Sequence, residues 1–215
     1  YSKGKGGFVA NIIDGSQDHH SLNGMAGVSN IGNDINWCGH PFAQSNWYAY
    51  GRLCWDYEMT SSAIADEWLR MTFTNDKRFV EPAKKMMLDS RETMVNYSNP
   101  LGLHHIMGAN GHYGPGPWVD FIKRPEWNAV YYHKADSLGI GFNRTATGSN
   151  ALSQYFPEAR KQWEDINTID EKYLLWFHHV PWMHTMKSGR TLWNELCFRY
   201  YDGAEQVAKM HQTWN

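Results

Sequence analysis

The sequence predicts a mainly α-helical protein in which the last β/α unit of a barrel leads into an appended helical domain. Three observations carry that expectation. The first forty residues are glycine-rich and hold two short apolar runs, Phe8 to Ile13 and Met25 to Ile31, bounded by Gly, Asn and Asp as buried strands are. A helical pattern opens behind them at Pro41, and helical spacing continues through most of the remaining chain. Two strands alone make no stable sheet. Partners elsewhere in a barrel therefore explain more than the other architecture the pattern admits, a self-contained α-rich domain with an irregular N-terminus.

The elements run in order along the chain. "PFAQSNWYAYGRLCW" spaces Phe42, Trp47, Tyr50 and Cys54 at near-helical intervals, and Pro41 suits a first helical turn. Thr60 is placed to cap a helix carrying Ile64, Trp68 and Met71 on one stripe. Asp76 is placed to cap the next, with Phe79, Val80, Ala83, Met87 and Met94. The segment "LGLHHIMGANGHYGPGPW", Leu101 to Trp118, breaks the pattern with five glycines and three histidines. Further helices are expected at Asn150 to Glu164, Asp170 to His179 and Ser188 to about Gln212, with Gly203 weakening the last one locally.

At 215 residues the chain can bury a core without metal or disulfide staples. Its 15% aromatic content includes 11 Trp and 12 Tyr, side chains that fill cores and also stack on the flat apolar faces of sugars. A net charge of −2 supplies no electrostatic footprint for nucleic acid. No run approaches the ~18 apolar residues of a membrane span, so no membrane partner is expected. Cys38, Cys54 and Cys197 form no disulfide framework and read as buried thiols.

The chemistry-bearing residues are less selective. Three His-His pairs, at 19–20, 104–105 and 178–179, place neighbours on different faces of regular structure and make poor chelators, so no metal site is expected. No nucleophile elbow or phosphate-binding glycine loop is present. Asp14, Asp18, Asp34, Asp120, Glu126 and Asp136 stand in loop-like context, as glycoside chemistry would require. Their spacing selects no pair, and capping or solvated turn roles are the favoured reading of each.

Longer strings are more specific. "GMAGVSNIGNDINWCGHPFAQSNWYAYGRLCWD", "IADEWLRMTF", "NPLGLHHIMGANGHYGPGPW", "WNAVYYHKADSLGIGFNRT", "SQYFPEARKQWEDINT", "YLLWFHHVPW" and "MKSGRTLWNELCFRYY" closely resemble the α-glucuronidases of glycoside hydrolase family 67. The resemblance covers essentially the whole chain. It implies a (β/α)8 TIM barrel followed by an α-helical C-terminal domain, truncated here at both ends. Residues 1–56 then correspond to the C-terminal end of the catalytic barrel, with Met25 to Ile31 as its last strand, and residues 57–215 to an incomplete helical domain.

The implied activity is inverting hydrolysis of α-1,2-linked glucuronic acid, or its 4-O-methyl ether, from xylo-oligosaccharides, without metal or organic cofactor. A non-catalytic carbohydrate-binding or interaction domain is the alternative. The family's acid and base carboxylates correspond to positions before Tyr1, so no catalytic residue is assigned. The resemblance matches Trp127 to a tryptophan that sheathes bound glucuronic acid. Asn30, Asp34 and Trp37 follow the last barrel strand, where barrel active sites lie, and are the further substrate-binding candidates. The loop from Leu101 to Trp118 is expected to reach the barrel mouth and bring His112, Tyr113 and Trp118 near substrate, or else only to pack the helical domain on the barrel. A homodimer through the helical domain is a further association that the resemblance implies.

Overall fold

The computed structural model describes residues 10–16, 19–28, 33, 35, 40–104, 108–109 and 116–215. Their contacts divide into two compact units. One comprises the described residues up to Arg91 together with Met210–Asn215, and the other Glu92–Lys209.

The first unit is built on helices whose starts are encoded locally. After a single turn, α1 (Ala10–Ile13), helix α2 spans Pro41–Trp55. Pro41 occupies its first turn, and the Ala43 amide donates to both the His40 carbonyl at 3.2 Å and the His40 side chain at 3.3 Å. Helix α3 (Ser61–Thr72) starts as its sequence predicts, with the Thr60 hydroxyl accepting from the Ala63 amide at 3.2 Å. Ahead of α4 (Lys77–Ser98), an Asp76 carboxylate oxygen accepts from the Arg78 amide at 2.9 Å.

These helices enclose Trp68, Leu69, Val80 and Ala83. Four further rings extend that core: Phe42 lies 5.5 Å from Trp68 and 5.1 Å from Trp214, while Phe73 lies 5.3 Å from Phe79. Asp66 pairs with Arg70 at 2.6 Å and with Lys84 at 3.1 Å, joining α3 to α4, and Arg52 pairs with Glu67 at 2.9 Å, joining α2 to α3.

The second unit is less regular. Its core gathers Leu101, Leu103, Ile140, Leu152, Ile169, Leu174, Leu175, Phe177, Val180, Met186, Leu192 and Leu196. Short pieces deliver these residues: α5 (Ala129–His133), α6 (Pro157–Arg160), α7 (Leu174–Phe177) and a two-stranded antiparallel ladder of β1 (Gly139–Ile140) on β2 (Val180–Pro181). A Cβ on Gly139 would lie 2.0 Å from the Val180 carbonyl oxygen, so that pairing requires glycine.

Helix α8 (Leu192–Trp214) closes the chain. Thr191 caps it through its hydroxyl to the Asn194 amide. In its first turn the buried Glu195 accepts from Ser188, Arg190 and Arg199 at 2.7, 3.0 and 2.8 Å. Burial disfavours that charge, but the three donors outweigh burial and hold the carboxyl below its ordinary range.

Several expectations change. Phe8 to Ile13 reads as a strand, whereas Ala10–Ile13 forms the helical turn α1. Of the expected strand Met25 to Ile31, residues 25–28 form none and the remainder lies outside the described residues. A barrel strand takes its hydrogen bonds from both neighbours, and the described residues supply no such neighbour. The helix expected over Asn150 to Glu164 is two short turns, Ala151–Gln154 and Pro157–Arg160, because Pro157 holds Phe156 in extended backbone. Asp170 to His179 is a 3-10 turn, Glu171–Tyr173, running into α7. Met71 and Met94 face solvent rather than extending the buried stripes. Cys54 is exposed and Cys197 half-buried, while Cys38 lies outside the described residues. Among the described residues no helix is long and apolar enough to cross a membrane.

Gly203 shows why a poor helix former stands inside α8. A Cβ there would lie 2.4 Å from the Tyr97 amide nitrogen and 3.0 Å from the Asn96 Cβ, so α8 crosses α4 backbone to backbone. Gly203→Ala gains about 1 kcal/mol of helix propensity but forces the helices apart, a cost of about 1–3 kcal/mol. Net destabilisation is expected in a urea titration, and a stabilised variant would show that the crossing yields freely.

His178 is buried, with Nε2 2.8 Å from the Trp163 carbonyl oxygen. Burial holds its imidazole below the ordinary range, outweighing that hydrogen bond and the nearby Asp165 charge. The unfolded chain therefore binds the proton more readily. The stability contribution is complete above the unfolded pKa of about 6.5 and is lost as pH falls from there through the depressed folded value. Thermal unfolding measured across this window should show a shallower decline for His178→Gln, and an unaltered slope would remove His178 from the pH response.

Candidate functional site

The segment from Gly116 to His133 carries Trp127, the substrate-binding candidate that lies among the described residues, and Trp118, which is exposed. Gly116 passes so close to Gly108 that a Cβ would lie 2.6 Å from the Gly108 Cα. Val119 is buried, its amide donates to the Gly116 carbonyl at 3.0 Å, and its own carbonyl accepts from the Val130 amide at 3.3 Å. Both ends of the excursion are thereby tied together.

Asn128 closes it from inside. Its side chain is 5% exposed. Oδ1 accepts from the Ile122 amide at 2.9 Å, while Nδ2 donates to the Ile122 carbonyl at 2.9 Å and the Arg124 carbonyl at 3.5 Å. One amide side chain thus replaces a strand neighbour for Ile122, satisfying donor and acceptor together. Pro125 starts a 3-10 turn, Pro125–Trp127, in which the Trp127 amide donates to the Arg124 carbonyl at 3.0 Å. The Trp127 indole is 53% exposed, and the Arg124 guanidinium lies 5.0 Å from its ring centroid.

Helix α5 fixes the C-terminal side of this turn through an aromatic stack. Tyr131 and Tyr132 lie 5.2 and 5.8 Å from Phe142. The Arg144 guanidinium lies 3.9 Å from the Trp176 ring, 4.6 Å from Phe142 and 5.7 Å from Tyr132. It also donates through Nη1 to the Trp176 carbonyl. Burial pulls this guanidinium below its usual range, against the opposing influence of Tyr132, Tyr155 and Tyr131.

Asn30, Asp34 and Trp37, like His112 and Tyr113, lie outside the described residues. The carboxylates expected in loops resolve toward turn chemistry where they are described. Asp14 accepts from the Ser16 amide at 2.8 Å, and Asp136 accepts from the Leu138 and Gly139 amides at 2.7 and 3.0 Å. Those backbone donors hold both carboxyls below the ordinary range, whereas a glycosidase acid needs its pKa raised. Asp120 and Glu126 are exposed, and Asp18 lies outside the described residues.

The paired histidines diverge: His178 meets the Trp163 carbonyl, and His179 meets the Lys134 carbonyl at 3.0 Å and Asp136 at 3.4 Å. His104 packs edge-on against Trp176 at 4.6 Å. In the other unit, a cavity of about 520 Å³ between α2, α3 and α4 is lined by Phe42, Leu53, Ile64, Trp68 and Met87 and presents no carboxylate.

Sequence reasoning missed Asn128 and Arg144. Asn128 precedes a helix and looks like a cap, yet its side chain works six residues backwards, which no forward capping pattern reveals. Arg144 lies in an aperiodic stretch and gives no pattern to read.

Comparisons with known proteins converge on one family. A model described as "Glycosyl hydrolase family 67 C-terminus" matches residues 38–215, and one described as "Glycosyl hydrolase family 67 middle domain" matches residues 1–37. The chain is 36% identical over 214 residues to Alpha-glucuronidase A of Emericella nidulans, covering 98% of this chain and 25% of that protein. It is 35% identical over 209 residues to Probable alpha-glucuronidase A of Neosartorya fischeri, covering 96% and 24%. It is 32% identical over 213 residues to Alpha-glucuronidase A of Aspergillus tubingensis, covering 98% and 25%. The chain therefore spans about a quarter of the length of the curated relatives it matches.

Replacing Asn128 with Ala leaves the Ile122 amide and carbonyl without their partner, at an expected cost of about 1–3 kcal/mol. Asn128→Asp keeps the acceptor but turns a second oxygen toward the Ile122 carbonyl, so it should not restore stability. Thermal unfolding of both variants checks the clamp, and a stable Asp variant would show that the amide donor is dispensable.

Proposed function

The chain belongs to glycosyl hydrolase family 67, and from that premise we propose that it is part of an α-glucuronidase. The complete enzyme releases glucuronic acid, or its 4-O-methyl ether, from its α-1,2 linkage to xylo-oligosaccharides and inverts the anomeric centre. Similarity to alpha-glucuronidases along nearly the whole chain is the observation that carries this reading. In this reading α2 is the last helix of a (β/α)8 barrel. Residues 1–56 are the end of that barrel, and residues 57–215 are the helical domain.

Inversion uses a general acid on the leaving oxygen and a general base that activates water on the opposite ring face. Those carboxylates come from a part of the enzyme other than this chain's described residues. What the chain contributes is binding. Trp127 offers an indole wall for the pyranose, held by the Asn128 clamp on one side and the α5 stack on the other, with Arg124 against the ring. Asn30, Asp34 and Trp37 complete the proposed set of substrate contacts. A rigid wall contributes to catalysis when its contact improves in the transition state, because no binding energy is then lost in ordering it.

The test is product analysis of the complete enzyme on aldouronic acids: glucuronic acid should appear first as the β anomer, and initial α anomer would overturn inversion. Trp127→Ala should lower kcat/KM by about 30- to 1,000-fold while Tm barely moves, because the ring is already half exposed. A large fall in Tm with kcat/KM retained at low temperature would make Trp127 a packing residue.

A further inference from the structure

Helix α5 is too short to hold its own place. It has five residues, of which only Ala129 is buried, and helices of that length are marginal without tertiary support. Asn128 stands at its N-cap position but gives no side-chain cap, because its amide group is engaged by Ile122. At the other end Lys134 takes the left-handed conformation, φ 46°, without being glycine, which costs energy. The contacts that fix α5 come instead from its side chains and flanks.

Those contacts converge on Arg144. The segment 141–144 runs beside α7, with the Phe142 amide donating to the Leu175 carbonyl at 3.1 Å and the Arg144 amide to the Phe177 carbonyl at 2.9 Å, while the Gly141 amide donates to the His133 carbonyl of α5 at 2.6 Å. The Arg144 guanidinium lies 3.9 Å from the ring of Trp176 on α7 and 5.7 Å from that of Tyr132 on α5, and His104 sits edge-on to both rings at 4.6 and 5.5 Å. A planar cation that donates to the Trp176 carbonyl and lies against ring faces thus links the two helices. Hydrogen bonds carry the linkage on to Trp127: the Tyr131 amide donates to the Asn128 carbonyl at 3.1 Å, the Asn128 amide to the Pro125 carbonyl at 3.0 Å, and the Val130 amide to the Val119 carbonyl at 3.3 Å. A shift of α5 therefore moves the turn Pro125–Trp127 with it.

We propose that Arg144 is a positioning residue for Trp127: its guanidinium, set against Trp176 of α7 and Tyr132 of α5, fixes where α5 lies and so where the indole is presented. This rests on the glucuronidase reading, in which Trp127 meets the sugar. Arg144 is buried, so it serves the reaction through geometry rather than contact. Misplacing a substrate-positioning group by about 1 Å is enough to cost on the order of 100-fold in rate.

The test is a double-mutant cycle in the complete enzyme acting on an aldouronic acid. Arg144→Met should lower kcat/KM about 10- to 100-fold. Tyr132→Leu, which leaves the Arg144 bond to the Trp176 carbonyl in place, should lower it in the same direction and carries the test if Arg144→Met fails to fold. In the Trp127→Ala background neither substitution should add more than about a twofold loss, because the residue they position is already gone. Full kcat/KM in the single variants, or losses that multiply with that of Trp127→Ala, overturn the proposal. Radical footprinting read by mass spectrometry gives an answer independent of turnover. Oxidation of Trp127 relative to the similarly exposed Trp193 of α8 should rise in Arg144→Met and Tyr132→Leu, and an unchanged ratio overturns the proposal while the glucuronidase reading stands. If the unaltered enzyme cleaves no aldouronic acid, the glucuronidase reading fails; a raised footprint ratio then sustains the positioning of Trp127 by Arg144, and an unchanged one removes it.

Discussion

Much of the second unit hangs on one buried cation. Arg144 is 7% exposed, and among the described residues it pairs with no carboxylate. Such a charge is costly unless its surroundings replace water. The Trp176 carbonyl and the faces of Trp176, Phe142 and Tyr132 do so. The same residue is stitched in through its backbone, with its amide donating to the Phe177 carbonyl at 2.9 Å and its carbonyl accepting from the Leu152 amide at 3.0 Å. Helix α5 and α7 meet the Arg144 side chain, and the end of α7 and the turn at Ala151 are bonded to its backbone.

That arrangement explains how a region with so little regular structure presents a defined surface. Short helices are marginal on their own, and a ladder of two-residue strands is weaker still. Order comes instead from side chains that satisfy backbone groups: Asn128 on Ile122 and His178 on Trp163 across longer stretches of chain, and Asp136 on Leu138 and Gly139 within its own turn. Each locks a loop segment that a regular hydrogen-bond ladder would otherwise have to order. The exposed rings of Trp118, Phe121 and Trp127 are carried by backbone held in this way.

The first unit obeys the opposite logic. Its helices are long, capped by their own flanking residues and joined by Asp66 and Glu67 to basic partners on neighbouring elements. Here packing tracks local pattern closely. Phe42, Trp68 and Phe79 fall where helical periodicity puts them, and the cluster gains Phe73 from the end of α3 and Trp214 from the far end of the chain.

The sequence alone determined the family resemblance, the start of α2 at Pro41 and the cap at Thr60, because each is written in contiguous residues. Helix periodicity and capping act within four or five positions, so they survive without knowledge of the fold. Tertiary structure alone decided that Gly203 is the crossing point of α8 on α4, that Asn128 reaches back to Ile122, and that Arg144 is buried among rings from three separate segments. The expected strands depended on hydrogen-bond partners across a sheet, and Ala10–Ile13 closed its bonds locally as a helical turn instead. The division is physical: bonds that close within one turn of chain can be read from residue order, whereas a buried charge, a backbone contact and a ladder acquire meaning only from the residues that folding brings to them.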